Sequence, residues 1–393
     1  MSGPLYLAWR YLARHPIKTA ILVASIALIA FLPAGLDSLV DQSAARLTAR
    51  ADSTPLLVGA KGSALDLVLS GLYFESDPPT PVSWSALERV AESGLAEPIP
   101  LHLGFRARGH PIVGTSLEYF DFRGLSVAAG RLMAMLGECV VGAGVARELG
   151  VSTGDSLLSS PESVFDLAGV YPLRMRVAGI LAPSYGPDDR AVFVDVKTAW
   201  VIAGLGHGHQ DLRSPEAEAA VLSREGERVV ANAAVVEYNE ITEQNAASFH
   251  FHGDRSGHPL SAVIAVPRDE KARVLLMGRF EGGDETVQVV RPAGVMDELL
   301  DTVLTVRSYV VAAMRSVAVA TLATAALVFM LSLRLRQREV ETLVKIGAAR
   351  GSIAVLLASE VVFVLAAAAL VASVLTLAVR HFGDAAIRAL LLT

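Results

Sequence analysis

Three uncharged apolar stretches, placed at the two ends of the chain, constrain what this sequence can become. Thr19 to Leu36, Ser316 to Leu333 and Val361 to Val379 hold 18, 18 and 19 residues without a single charge, each bounded by ionic side chains. About 20 such residues are needed for a helix to cross a bilayer. With a mean hydropathy of +0.46, three such runs argue for membrane helices rather than buried core helices. A secretory signal is the other source of an amino-terminal apolar run, but this one is long, with Pro33 near its end and Asp37 directly after it and no convincing cleavage motif. The first run is therefore expected to stay as an anchor.

The basic residues predict the orientation. Arg10, Arg14 and Lys18 precede the first run, and Arg334, Arg336, Arg338, Lys345 and Arg350 follow the second, which places both segments in the cytoplasm. These eight basic residues are accompanied by three acids (Glu339, Glu341 and Glu360), so the rest of the chain carries 26 basic against 37 acidic residues. The 277 residues from 38 to 314 then form an acidic extracytoplasmic region, and the carboxyl terminus also lies outside. An acidic exposed region lacks the basic face that nucleic acid requires. The single cysteine, Cys139, excludes an intrachain disulfide, so the region must rely on its own packed core.

Helical periodicity continues beyond the first run over Leu39 to Arg50 and precedes the second over Gly294 to Arg315, with Val295, Leu299, Val303, Val306 and Val310 on one stripe. Both read as stalks leaving the bilayer. Between them, short valine-rich and isoleucine-rich runs at Arg176 to Leu181, Ala191 to Val194 and Ala262 to Val266 predict strands broken by glycine and proline. Asp77 to Pro81 reads as a break and Gly204 to Pro215 as a loop. The expected fold class is thus a membrane α-helical protein of three spans, with a large mixed α/β extracytoplasmic domain inserted between the first and second. Its parts are 1–40 (cytoplasmic amino terminus and first helix), 41–293 (extracytoplasmic domain) and 294–393 (stalk, second helix, cytoplasmic loop 334–351 and third helix).

Catalytic motifs are missing. Gly59-Ala60-Lys61-Gly62-Ser63 has the composition of a phosphate loop but the wrong spacing, and reads as a turn; Gly142-Ala143-Gly144 breaks the dinucleotide pattern at its third glycine. The sequence holds neither His-Glu-x-x-His nor Gly-x-Ser-x-Gly. A non-catalytic membrane subunit is expected, with any ATP hydrolysed by a different chain.

The segment from Arg334 to Ile353 is a short charged helix, a glycine stop at Gly347 and a new helix that leads into the third run. It resembles the coupling loop of the FtsX/MacB-like permeases, membrane subunits of bacterial ABC transporters, in an Arg-x-x-Glu-x-x-x-Leu-(Arg or Lys)-x-(Ile or Leu)-Gly-Ala pattern. Arg336, Glu339, Leu343, Ile346, Gly347 and Ala348 fit that pattern, with Lys345 one residue past its basic position and Arg338 and Glu341 among the charges beside them. Leu7-Ala8-Trp9-Arg10-Tyr11-Leu12 with His15 to Thr19 is similar to the family's amino-terminal helix and first span. Ile112 to Thr115, Gly124-Leu125 through Gly130-Arg131, Val140-Val141-Gly142 and Gly154-Asp155, then Val177 to Leu181 and Asp189 to Val194, look like its periplasmic core domain.

The resemblance implies a bacterial inner-membrane permease with a cytoplasmic amino terminus and a periplasmic domain. It also implies a cognate ABC ATPase docked at Arg338, Glu339 and Lys345, a second copy of the chain, and a periplasmic adaptor or substrate-binding protein as a further partner. The family's fourth membrane helix has no counterpart, since only His381 to Thr393 follow the third run, which reads either as a three-span variant or as a truncation. Two functions stay open: a transport permease whose cargo is a metal, lipoprotein, peptide or small molecule, and an FtsX-type transducer that regulates an extracytoplasmic enzyme without moving a substrate. A plain membrane-anchored binding protein is a third, disfavoured by the coupling-loop match.

Histidine offers the one hint of a ligand. His207 and His209, then His250, His252 and His258, place five of the nine histidines in two short stretches. In a strand, His250 and His252 would face one side, a pattern suited to zinc or a similar metal, with Glu243 and Asp254 as supplementary ligands. The alternative is two hydrophilic loops with incidental histidines.

Overall fold

In the computed structural model, residues 3–75, 80–159, 172–209, 221–225, 228–231, 238–281, 286–335, 337–345 and 347–391 are described. They form two units, one of residues 1–47 and 298–393, the other of residues 48–297. In chain order the helices are α1 (Gly3–Arg14), α2 (Pro16–Asp52), α3 (Ala64–Val68), α4 (Trp84–Glu92), α5 (Glu118–Arg123), α6 (Ala143–Leu149), α7 (Val196–Ile202), α8 (Glu270–Phe280), α9 (Pro292–Leu335), α10 (Gln337–Lys345) and α11 (Arg350–Leu391). The strands are β1 (Leu56–Ala60), β2 (Val82–Ser83), β3 (Ala96–Ala107), β4 (His110–Thr115), β5 (Val127–Gly130), β6 (Glu138–Val141), β7 (Ser156–Leu158), β8 (Arg174–Leu181), β9 (Val192–Asp195), β10 (Gly206–Gly208), β11 (Val221–Glu225), β12 (Arg228–Ala231), β13 (Phe249–Phe251), β14 (Pro259–Leu260), β15 (Ala262–Pro267) and β16 (Val287–Val290).

The first unit is helical. Pro16 opens α2 at a position where its missing N–H costs no hydrogen bond, which separates α2 from α1. Small residues let helices approach closely, and Ala27, Ala368 and Ala372 form a buried cluster with Val23, Ile26 and Phe31 against it. Trp9 of α1 meets Phe363 of α11 edge-on, with ring centroids 6.2 Å apart. Elsewhere the apolar side chains point outward: Ile17, Val362 and Leu370 are 74, 62 and 67% exposed. Among the described residues, two helical segments are long and apolar enough to cross a membrane, Pro16–Gln42 and Arg350–Gly383. Only 11 and 17% of these apolar windows is buried inside the chain, unlike the core helix of a soluble protein.

Two of the three expected spans are found as candidate spans among the described residues. Ser316 to Leu333, the remaining expected span, lies within the continuous helix α9, whose described apolar stretch is Ser308–Thr324. Both stalk readings correspond to continuous helix, since α2 runs to Asp52 and α9 begins at Pro292. The charged helix, glycine and following helix also appear, as α10, Gly347 at φ +91° and α11.

The second unit is a mixed sheet of ten strands among the described residues, ordered β16-β1-β15-β3-β4-β9-β6-β8-β5, with β7 on β8. The long strand β3 joins its halves. Ala96 to Leu101 pairs with β15 and His102 to Ala107 with β4, with a register shift between His102 and Phe105. Each half has its own core: Leu56, Val58, Trp84, Val263 and Leu276 on one side, Cys139, Val141, Met175, Val177 and Val194 on the other. Strand β8 alternates exposed and buried side chains, as its sequence requires for a sheet packed on one face. The predicted strands at 176–181, 191–194 and 262–266 are β8, β9 and β15. Lys61 to Ser63 is a turn, Ser63 capping α3 by accepting from the Asp66 N–H at 3.1 Å.

One predicted loop is not entirely loop. Gly206–Gly208 forms β10, which pairs antiparallel with β13; residues 210–215 of that loop, and 77–79 of the proline-rich break, lie outside the described residues.

Candidate metal centre

The strand pair β10–β13 is a two-sided ribbon written by alternation. Its register places Gly206 opposite Phe251, His207 opposite His250 and Gly208 opposite Phe249. Because side chains alternate in a strand, glycine and phenylalanine share the inner face and histidine the outer. The glycines are required there: a Cβ on Gly206 would lie 2.6 Å from the Phe251 ring, and one on Gly208 2.5 Å from the Phe249 ring. Beneath the ribbon, Phe251 meets Trp200 of α7 with ring centroids 6.3 Å apart, and Trp200 meets Trp84 at 5.2 Å. Phe251 packs against one core and Phe249 against the other.

On the outer face the four imidazoles converge. Ring centroids lie 4.8 Å apart for His207 and His250, 4.8 Å for His207 and His252, 5.0 Å for His250 and His252, 5.3 Å for His209 and His250, and 5.8 Å for His207 and His209. One ligand nitrogen from each of His207, His209 and His250 falls within 4.8 Å of the others. His207 and His209 are half-buried, His250 and His252 exposed. The Nδ1 of His250 lies 3.1 Å from the Ser248 carbonyl oxygen. A carbonyl can only accept, so Nδ1 carries the proton and Nε2 keeps its lone pair.

His258 is set apart from this group. Its Nε2 donates to the His252 carbonyl oxygen at 3.0 Å and its ring packs on Trp200 at 4.6 Å, buried under the ribbon. It holds the chain carrying His252 rather than joining the outer face. Neither Glu243 nor Asp254 belongs to the histidine group among the described residues; the Asp254 carboxylate accepts from the Ser256 N–H at 3.1 Å.

A second polar cluster, not anticipated from the sequence, lies within the sheet unit. Arg50, in the last turn of α2, forks onto Asp188 through Nη1–Oδ2 at 2.5 Å and Nη2–Oδ1 at 2.9 Å, and the Tyr119 hydroxyl donates to Asp188 Oδ1 at 2.7 Å. Asp188 sits in a short turn, Pro187–Arg190, that approaches closely because Gly142 has no side chain; a Cβ there would lie 2.3 Å from the Asp188 carbonyl oxygen. Burial alone would raise the Asp188 carboxyl, but the charge of Arg50 and its hydrogen bonds outweigh burial and hold it below the ordinary carboxylate value. Burial raises the Tyr119 phenol. The only sequence signals were an arginine at a predicted stalk end and two adjacent acids after Gly-Pro. Cys139 is buried in the same half of the sheet, its thiol pushed up to about 12 by desolvation, and is chemically inert.

Of the coupling-segment residues, Arg338, Glu339, Glu341, Leu343 and Lys345 lie on α10, and Gly347 and Ala348 in the turn before α11. Arg336 and Ile346 lie outside the described residues.

Residues 19–239 match the family model described as the MacB-like periplasmic core domain. No curated protein matches the chain. Among solved structures, the periplasmic region of MacB from Actinobacillus actinomycetemcomitans aligns at 10% identity and a TM-score of 0.33, covering 63% of this chain and 92% of that one. The extracellular domain of the noncanonic ABC-type transporter YknZ from Gram-positive bacteria aligns at 11% identity and 0.31, covering 60% and 98%. With more than half of its length matched by the family model, the chain belongs to the MacB/FtsX-like family of ABC transporter permeases.

Proposed function

We propose that the protein is the membrane subunit through which a separate ABC ATPase drives movement of the sheet unit on the far side of the inner membrane. The family match over residues 19–239 carries this reading. The arrangement of α10, Gly347 and α11 supports it, because a short charged helix ahead of a long apolar one has the form of a docking element. In this reading the amino terminus and α10 face the cytoplasm, the sheet unit is periplasmic, two copies of the chain act together, and the ATPase supplies all the catalysis. Helices α2 and α9 would carry the motion as rigid elements.

The test is co-purification with a cognate ABC ATPase, and the ATPase rate of the complex in lipid nanodiscs. Glu339→Lys and Lys345→Glu, made singly, are each expected to weaken association by roughly tenfold or more, since like charges facing each other cost several kcal/mol. Unchanged association and unchanged ATP turnover in both variants would remove α10 as the docking element.

A further inference from the structure

We propose that His207, His209, His250 and His252 form a binding site for one divalent transition-metal ion of the zinc class on the outer face of the β10–β13 ribbon. Three independent features of the ribbon point to a ligand. The first is convergence across the chain: two histidine pairs about forty residues apart in sequence are brought into cross-strand register, so that four imidazoles share one face. The second is spacing. A tetrahedral ion with imidazole nitrogens at 2.0–2.1 Å would set ring centroids about 5.2 Å apart, and five of the six pairs among these rings have centroids 4.8 to 5.8 Å apart.

The third feature is support from behind. The His250 ring is oriented through its Nδ1 by the Ser248 carbonyl, the arrangement that directs Nε2 toward a metal. His258 ties the His252 backbone to the Trp200 shelf, and the glycines opposite Phe249 and Phe251 let the ribbon lie flat on its two cores. The three grouped histidines, His207, His209 and His250, have no thiolate or carboxylate with them among the described residues, a donor set that selects a borderline cation such as Zn²⁺, Co²⁺, Ni²⁺ or Cu²⁺ over Mg²⁺ or Ca²⁺, which demand oxygen ligands.

The site does not depend on the permease reading: it uses neither α10 nor an ATPase, so each can fail without the other. Full-length protein in nanodiscs is titrated with Zn²⁺ against a chromogenic chelator, and the Co²⁺ form is examined for the visible ligand-field bands of a tetrahedral nitrogen site. One Zn²⁺ per chain at submicromolar affinity is expected. The double variant His250→Ala, His252→Ala should lose at least roughly 100-fold of that affinity and the Co²⁺ bands, and His258→Ala, which acts through His252, about 10-fold, in the range of outer-shell losses. Because His250 and His252 are exposed, the double variant is expected to keep the parent's circular dichroism. His209→Ala, which touches the other strand end, gives a second reading should the double variant misfold. Parent protein that fails to hold Zn²⁺ at micromolar concentration, or binding retained in well-folded histidine variants, overturns the site.

Discussion

Two clusters of polar side chains in the sheet unit are built on opposite principles. In the Arg50–Asp188–Tyr119 cluster the charged groups are buried and paired with one another: guanidinium against carboxylate in a two-pronged fork, with a phenol on the same carboxylate. In the histidine ribbon the backs of the strands are packed and the imidazoles face outward. A buried cluster paired within itself in this way holds backbone segments together. An outward face of one donor type, oriented from behind, is arranged for something that comes from solution.

Removing one member should therefore do very different things in the two places. Asp188→Ala strands a buried guanidinium and is expected to destabilise the sheet unit by about 3–5 kcal/mol, read as a shift in the denaturant midpoint; a loss under about 1 kcal/mol would mean the fork is dispensable. The next largest effect is on pH. Burial pushes the His102 imidazole of β3 down from 6.5 to about 4, so between those values the unfolded chain takes up a proton that the folded chain refuses. Stability should be complete above pH 6.5 and fall by roughly 3 kcal/mol as pH drops to 4, an effect that His102→Gln abolishes. Asp188, held below 3.8, keeps its contribution throughout that window and loses it only at still lower pH.

On the ribbon, Zn²⁺ at 100 times its dissociation constant should stabilise the parent by about 2.7 kcal/mol. The smallest expected effect is the sharpest contrast with Asp188→Ala. Without metal, His250→Ala with His252→Ala should change stability by no more than about 0.5 kcal/mol, since both side chains are exposed. A large loss in the metal-free protein would make the ribbon a structural element like the buried fork and erase the distinction between them.

Much of the architecture was legible because it is written in local periodicity. The valine-rich runs at 176–181, 191–194 and 262–266 became strands, and the glycine after the charged helix became a turn with positive φ. The same alternation that placed His250 and His252 on one face also placed His207 and His209 on one face, but Gly204 to Pro215 read as a loop. Glycine is a strand breaker in isolation, whereas here it is the residue that makes room for the phenylalanines of the partner strand.

The sequence by itself determined which residues are apolar, which alternate and where the chain must turn, because these depend on neighbours within one or two turns of backbone. Only the tertiary structure decided that His207 stands opposite His250, and that Arg50 meets Asp188 across 138 residues of chain. Those pairings follow from strand register and from the close approach that Gly142, Gly206 and Gly208 allow, and both are set by packing of distant segments against shared cores rather than by any local preference.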